Sequence, residues 1–161
     1  MHIRPARHDD FPAILALNAE SVRFLSPLTL PRLQALHEQA AVHAVIEDEG
    51  SVTAFVLALR EGAEYDSVNY QWFGARYPHF LYIDRVVVSE DYQGRGAGTL
   101  LYEQVFERAR LIGTPVVACE FDVDPPNPAS ERFHAKLGFL EVGRQAVAGG
   151  QKEVSLQVAS R

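Results

Sequence analysis

The stretch VVVSEDYQGRGAGTLLYE, residues 86–103, decides the fold prediction because it joins an apolar strand, a glycine cluster and the start of a helix. Gly94, Gly96 and Gly98 alternate with other residues immediately before apolar residues at helical spacing. Glycine loses more conformational entropy on folding than any other residue, so such a cluster is expected where backbone bends tightly or closely approaches a ligand. A phosphate held by backbone N–H groups at a helix N-terminus is the ligand that this arrangement favours.

Two other phosphate-binding motifs do not match this stretch. The dinucleotide fingerprint is G-x-G-x-x-G directly after a strand, whereas here the glycines run G-x-G-x-G and follow a polar insert, residues 89–93. A P-loop requires Gly-Lys-Ser/Thr, which is absent here. A nucleotide-binding oxidoreductase or regulatory domain is therefore disfavoured.

Composition and charge restrict the class of protein. The chain has 161 residues and a formal net charge of -6, and we predict a single domain over residues 1–161. No basic stripe offsets this charge, which argues against a nucleic-acid partner and is compatible with a cationic amine as partner. Cys119 is the single cysteine, so no internal disulfide is expected. With no apolar stretch long enough to span a membrane and no signal-peptide pattern, the sequence predicts a cytoplasmic protein without a membrane partner.

The apolar spacing predicts an α/β (α+β) domain. Its element order is strand, two helices, hairpin, strand, glycine loop, helix, strand, helix and hairpin, which requires a mixed sheet. Asp9 and Asp10 are expected to cap the first helix. Residues 61–79 are expected to form a long connection, and loops of this length are usually functional or mobile. Its aromatic side chains either form one wall of an acceptor pocket or pack on the core as a flap; the four proposed for the wall are Tyr70, Trp72, Phe73 and Tyr77.

Two segments together resemble the GNAT superfamily of N-acetyltransferases. Gln93, Gly96 and Gly98 match the core Q/R-x-x-G-x-G/A of its acetyl-CoA motif. Downstream, NPASERFHAKLGF, residues 127–139, is similar to the helix that runs from an asparagine to a Gly-Phe pair along the cofactor. The resemblance implies a GNAT-like fold with a mixed central sheet of about seven strands and about four flanking helices. It also implies acetyl-CoA as donor and direct attack by a primary amine in a ternary complex.

Coenzyme A contacts are predicted along both segments. Glycines allow N–H groups from Gln93 to Gly98 to converge on the pyrophosphate, and Arg95 either pairs with a phosphate or stays solvated. Asn127 is expected to cap its helix and, by the resemblance, to contact the pantetheine arm. In the family, a backbone N–H of the strand before the glycine loop stabilises the oxyanion. The predicted cofactor-binding residues are Val86, Val87, Val88, Gln93, Gly94, Arg95, Gly96, Ala97, Gly98, Thr99, Asn127, Ser130, Phe133 and His134.

Three side chains are candidates for proton transfer. Asp84 interrupts the apolar strand FLYIDRVVV, where burial would suit a base, and a structural ion pair is the alternative. Glu120, late in the next strand, is the second carboxylate. His134 stands where the family often has a tyrosine acid, so donor, base and packing roles all remain open. The other histidines show no metal-ligand spacing, and no metal is predicted: His2, His8, His37, His43 and His79.

The acceptor is the part of the function for which the chain carries no motif. We predict a small molecule or an amino acid with a primary amine. A protein N-terminus or lysine is the alternative within the same class, and a non-catalytic acyl-CoA-binding module is the alternative from another class. The oligomeric state stays open, a homodimer included.

Overall fold

The computed structural model describes residues 1–21 and 26–160. These residues form seven strands and five α-helices, against about seven and about four predicted. The strands are β1 (His2–Pro5), β2 (Val42–Asp48), β3 (Ser51–Arg60), β4 (Leu81–Val88), β5 (Val116–Asp124), β6 (Leu140–Val147) and β7 (Lys152–Ser160). The helices are α1 (Phe11–Glu20), α2 (Leu30–Gln39), α3 (Val68–Gly74), α4 (Ala97–Ile112) and α5 (Pro128–Lys136).

The sheet is mixed, as the sequence predicts. Its strand order is β1-β2-β3-β4-β5-β7-β6. β4 and β5 pair in parallel, with Leu81 opposite Val117 and Tyr82 opposite Ala118. The β1–β2, β2–β3, β5–β7 and β6–β7 pairs are antiparallel. The element order of the glycine-loop half, strand–loop–helix–strand–helix–hairpin, is therefore confirmed.

The chain divides into two compact units. The first comprises Met1–Leu59 and Ile83–Arg108, and the second comprises Arg60–Tyr82 and Ala109–Arg161. In the first, β3 is buried continuously from Thr53 to Leu59, as expected of a strand covered on both faces. In the second, aromatic side chains form much of the core: Tyr70, Phe73, Phe80, Tyr82, Phe121 and Phe139.

Two local predictions are wrong. Asp10 does not cap α1 with its side chain, because its carboxylate accepts hydrogen bonds from the Arg4 guanidinium and from the Arg7 backbone N–H instead. Residues 61–79 are not an irregular connection, since they contain α3. Ser67 begins that helix by accepting a hydrogen bond from the Tyr70 backbone N–H, and Tyr70 and Phe73 form its buried face.

Candidate functional site

The glycine loop is an exposed turn at the start of α4. Gly94 and Gly96 have φ angles of 78° and 85°, in the left-handed region that favours glycine. A Cβ built on either residue would meet no heavy atom within 4 Å, so the loop is open to a ligand. The Gly96 carbonyl accepts from the Leu100 N–H at 3.0 Å, which starts a 16-residue helix.

This geometry fits a pyrophosphate. An α-helix leaves its first N–H groups without acceptors inside the helix, and here these groups directly follow two glycines. The positive end of the helix dipole lies at the same point. Gly98 lies inside α4, so only Gly94 and Gly96 are explained by left-handed backbone.

Side chains in and beside the loop make contacts that hold it against the rest of the first unit. Gln93 donates from Nε2 to the Val88 carbonyl at 3.2 Å, which ties the loop to the end of β4. The Arg95 guanidinium lies 4.8 Å from the centre of the Tyr92 ring. Tyr92 in turn donates its hydroxyl hydrogen to Asp48 at 2.8 Å. The cation of the exposed Arg95 thus stacks on an aromatic face here.

Asp84 forms a buried ion pair with its neighbour. Its Oδ2 lies 2.7 Å from Arg85 Nε, and the side chains are 5% and 2% exposed. The same guanidinium donates to the Asn18 side-chain oxygen at 3.0 Å and to the Ser26 hydroxyl at 3.2 Å. The structural ion pair that the sequence offers as the alternative to a base is therefore present.

Glu120 has a different environment, in the second unit. Its carboxylate accepts from the Tyr82 hydroxyl at 2.8 Å and from Asn69 Nδ2 at 3.1 Å, and the residue is half-buried. Neither Tyr82 nor Asn69 is among the predicted site residues. Tyr82 could have been identified from the sequence, since a tyrosine in an apolar strand needs a hydrogen-bond partner for its hydroxyl.

His134 is packed into an aromatic cluster. It is 5% exposed, and its ring stacks on Phe121 at 5.2 Å and meets Phe139 edge-on at 5.3 Å. Its Nδ1 lies 2.7 Å from the Ser130 carbonyl oxygen, and because a carbonyl only accepts, Nδ1 carries the hydrogen. Burial lowers the pKa of His134, partly offset by this hydrogen bond. The neutral ring therefore has an acceptor at Nε2.

One local prediction for the downstream segment, residues 127–139, is confirmed. Asn127 caps α5 by accepting from the Ser130 N–H at 3.3 Å, so its capping role is confirmed. Asn127 also lines a cleft of about 430 Å³ beside α5, together with Phe121, Glu131 and Arg144.

The four predicted acceptor-wall aromatics divide into two pairs. Tyr70 and Phe73 are buried in the core, and Tyr70 donates its hydroxyl hydrogen to the Arg60 carbonyl. Trp72 and Tyr77 are partly exposed, and the Arg76 guanidinium lies 3.9 Å from the centre of the Trp72 indole. Tyr70 and Phe73 thus pack on the core, which is the alternative to a pocket wall.

Two negative observations concern residues 1–21 and 26–160. Within these residues, no cluster of three or more histidine, cysteine or acidic side chains is arranged to hold a metal ion. None of the helices described there has the length and apolar character needed to cross a membrane.

Comparison with known proteins identifies similar sequences and folds. The model of the acetyltransferase (GNAT) family matches residues 7–139. A search of curated proteins found no match.

Solved structures share the fold over nearly the whole chain. Ard1 from Thermoplasma volcanium is 17% identical with a TM-score of 0.80, covering 99% of this chain and 96% of its own. The ribosomal-protein-S18-alanine N-acetyltransferase from Escherichia coli is 16% identical with a TM-score of 0.73, covering 99% and 92%. The yncA structure from Salmonella typhimurium, which contains acetyl-CoA, is 22% identical with a TM-score of 0.74, covering 99% and 93%.

Proposed function

Because this chain belongs to the GNAT family of acetyltransferases and its acetyl donor is acetyl-CoA, we propose that it acetylates a primary amine of a small molecule or amino acid. The reaction runs by direct attack of the amine in a ternary complex, within a single domain, residues 1–161. The observation that carries the proposal is the exposed left-handed turn at Gly94 and Gly96 directly before a long helix.

Donor binding rests on backbone groups. The N–H groups from Gly94 to Thr99 would bind the pyrophosphate, and the glycines leave the space that a Cβ would occupy. The Gln93 N–H, predicted to join them, donates to the Glu90 carbonyl at 3.4 Å instead. Acetyl-CoA supplies an acetyl group activated as a thioester. A backbone N–H among Val86, Val87 and Val88, in the second half of β4, donates to the carbonyl oxygen as negative charge develops.

We assign proton acceptance to Glu120 in preference to Asp84. An amine is mostly ammonium at neutral pH and must lose a proton before its nitrogen can attack the thioester carbon. The C–S bond would then break, and coenzyme A would leave as its thiolate. Glu120 is half-buried, and its carboxylate is held by two neutral donors, Tyr82 and Asn69. Asp84 is already compensated by a buried guanidinium, so moving a proton onto it would break the Asp84–Arg85 ion pair.

A second acceptor class has its own support. The fold is shared with an enzyme whose name specifies the alanine of ribosomal protein S18, so an amine at a protein N-terminus is the alternative acceptor. The chemistry at Glu120 would be the same in both cases, because both acceptors present a primary amine.

An amine panel tests the proposal. Purified protein is incubated with acetyl-CoA and amino acids, polyamines or short peptides, and free thiol release is followed together with product mass. We expect stimulation by one small-amine class; stimulation by peptides alone would select the protein-acceptor alternative. Tight acetyl-CoA binding without acetylation of any amine would instead indicate a non-catalytic binding module.

Two variants test the assignment of the base. We expect Glu120→Gln to lower kcat by about 10²–10⁴-fold, the usual contribution of a general base, with little change in acetyl-CoA affinity. Asp84→Asn should mainly lower the free energy of unfolding, by about 3 kcal/mol, because it leaves the Arg85 guanidinium buried without its carboxylate. Turnover lost in a stably folded Asp84→Asn protein and retained in Glu120→Gln would reverse the assignment.

A further inference from the structure

Glu120 stands at the end of a chain of side-chain amides that starts on a different strand. Gln145, in β6, donates from Nε2 to the Asn69 side-chain oxygen at 2.9 Å. Asn69, in α3, donates from Nδ2 to Glu120 Oε1 at 3.1 Å. Tyr82 donates to the same carboxylate from β4. Each hydrogen donated in this series of side chains is directed toward Glu120.

The direction of these bonds has a chemical consequence. An ionised carboxylate only accepts hydrogen bonds, and donors aimed at it stabilise its charged form. The carboxylate, which only accepts, requires the nitrogen of Asn69 to face Glu120. The oxygen of Asn69 then accepts from the Gln145 amide, which ties the Asn69 side chain to β6.

The position of Asn69 is set by the docking of α3 on β6. Asn69 and Trp72 are three residues apart on the helix and so share one face, and Gly143 and Gln145 are two apart on the strand and so share one side. A Cβ on Gly143 would lie 2.5 Å from Trp72 Cζ2, so the indole packs against bare backbone there. The same docking that requires glycine at 143 brings the Asn69 and Gln145 amides together.

From this geometry we infer that Asn69 and Gln145 are positioning residues, which orient the Glu120 carboxylate and keep it ionised to accept the proton of the acceptor amine. The inference rests on the proposed function. Asn69, Gln145 and Glu120 are all half-buried, so water can reach their surroundings and satisfy polar groups without this arrangement. Satisfaction of buried polar atoms alone therefore does not account for the network.

Asn69→Leu is the main test, because leucine has a similar volume and no polar atom. Loss of one donor to a charged carboxylate disfavours the ionised form, so the acidic limb of the kcat–pH profile should move up by about one pH unit. At a pH below that limb kcat should fall about tenfold, with acetyl-CoA KM changed less than about twofold. Beside Glu120, Tyr82 is a donor and burial raises the pKa of the Cys119 thiol, so neither supplies this acidic limb.

Controls separate positioning from structure. Gln71→Ala, on the exposed side of the same helix, should leave the pH profile and kcat unchanged. Gln145→Leu should move the limb in the same direction by a smaller amount. Asn69→Leu added to Glu120→Gln should cost no further turnover, because residues that act through one group are not additive.

The possible outcomes separate a failure of this inference from a failure of the proposed function on which it rests. A wild-type protein that acetylates no amine would defeat the proposed function. The inference alone would be overturned if the wild type is active but the acidic limb of the kcat–pH profile stays in place in folded Asn69→Leu and Gln145→Leu proteins, with only the melting temperature lowered. If Asn69→Leu does not fold, Asn69→Asp gives the same test, since a second carboxylate beside Glu120 should move the limb upward as well.

Discussion

His134 illustrates how one hydrogen bond decides what a side chain can do. The family resemblance places it where a tyrosine often acts as acid, and the sequence permits donor, base and packing roles. The Ser130 carbonyl takes the hydrogen on Nδ1, so a neutral ring has none on Nε2. Donation from Nε2 would require the charged ring, which burial disfavours.

Because a neutral His134 cannot donate from Nε2 and we assign proton acceptance to Glu120, we expect His134→Phe to retain turnover within a few-fold at saturating acetyl-CoA. Phenylalanine keeps the stacking on Phe121. The measurement is kcat for the Phe and Tyr variants side by side. A fall of about 10²–10⁴-fold in the Phe variant, restored by Tyr, would instead assign His134 as the acid that protonates the departing thiolate. A fall that Tyr does not restore would assign it as a base.

At the scale of elements, the glycine loop and α4 act as one unit. The loop needs left-handed backbone at Gly96, and the helix needs that same residue as its N-terminal boundary. A side chain at this position would both strain the turn and occupy the open space in which we propose that the pyrophosphate binds.

Gly96→Val should thus weaken coenzyme A binding at least tenfold, a change of about 1.4 kcal/mol, while the fold survives. Calorimetric titration with coenzyme A measures it. Gly113→Val is the matched control, because Gly113 also has positive φ, at 71°, and lies just beyond the other end of α4. Equal affinities in wild type and Gly96→Val would refute the pyrophosphate assignment, and equal losses in both variants would attribute the effect to strain.

The helix α3 could not be predicted from the spacing of apolar residues in the sequence. Its seven residues are too few for a clear period, and the aromatic and glycine content of residues 61–79 is typical of an irregular connection. Burial of Tyr70 and Phe73 against Phe80 and Tyr82 stabilises the helix, and those contacts exist only after folding. Local propensity is outweighed here by tertiary packing.

For the whole molecule, a histidine cluster links stability to pH. His37 and His43 share a hydrogen bond of 2.7 Å between their Nδ1 atoms, and the ring of His8 lies 5.1 Å from that of His37. Burial, and then the neighbouring His37, lower the pKa of His43 to about 4. Burial and His8 lower the pKa of His37, and Glu38 acts on it in the opposite direction. Asp10 likewise opposes the lowering of the pKa of His43. His37 and His43 thus pack as structural side chains, with ring centres 5.0 Å apart.

A depressed pKa in the folded state means that the unfolded chain binds the proton first as the pH falls. His43 contributes about 3 kcal/mol to the free energy of unfolding. This contribution is complete above the ordinary histidine pKa of 6.5 and is lost as the pH falls toward about 4. Urea unfolding at pH 7.5, 6 and 4.5 should show this decline, and His43→Phe should make it shallower. His2→Gln, at an exposed position, is the control, and identical slopes in wild type and His43→Phe would contradict the prediction.

The sequence by itself determined the element order of most of the chain, the glycine loop with its helix, the cap at Asn127 and the family. The family follows from two motifs that resemble those of known proteins. The other features follow from local chemistry: periodic burial, backbone conformations open to glycine, and side chains that bond to backbone three residues away. The tertiary structure decided which partner each polar side chain meets. Asp84 faces Arg85, and Glu120 meets Tyr82 and Asn69 from residues 38 and 51 positions earlier in the chain. The contacts of Glu120 depend on the register of strands and the docking of α3, which no local spacing encodes, so the proposed choice between the two carboxylates required the fold.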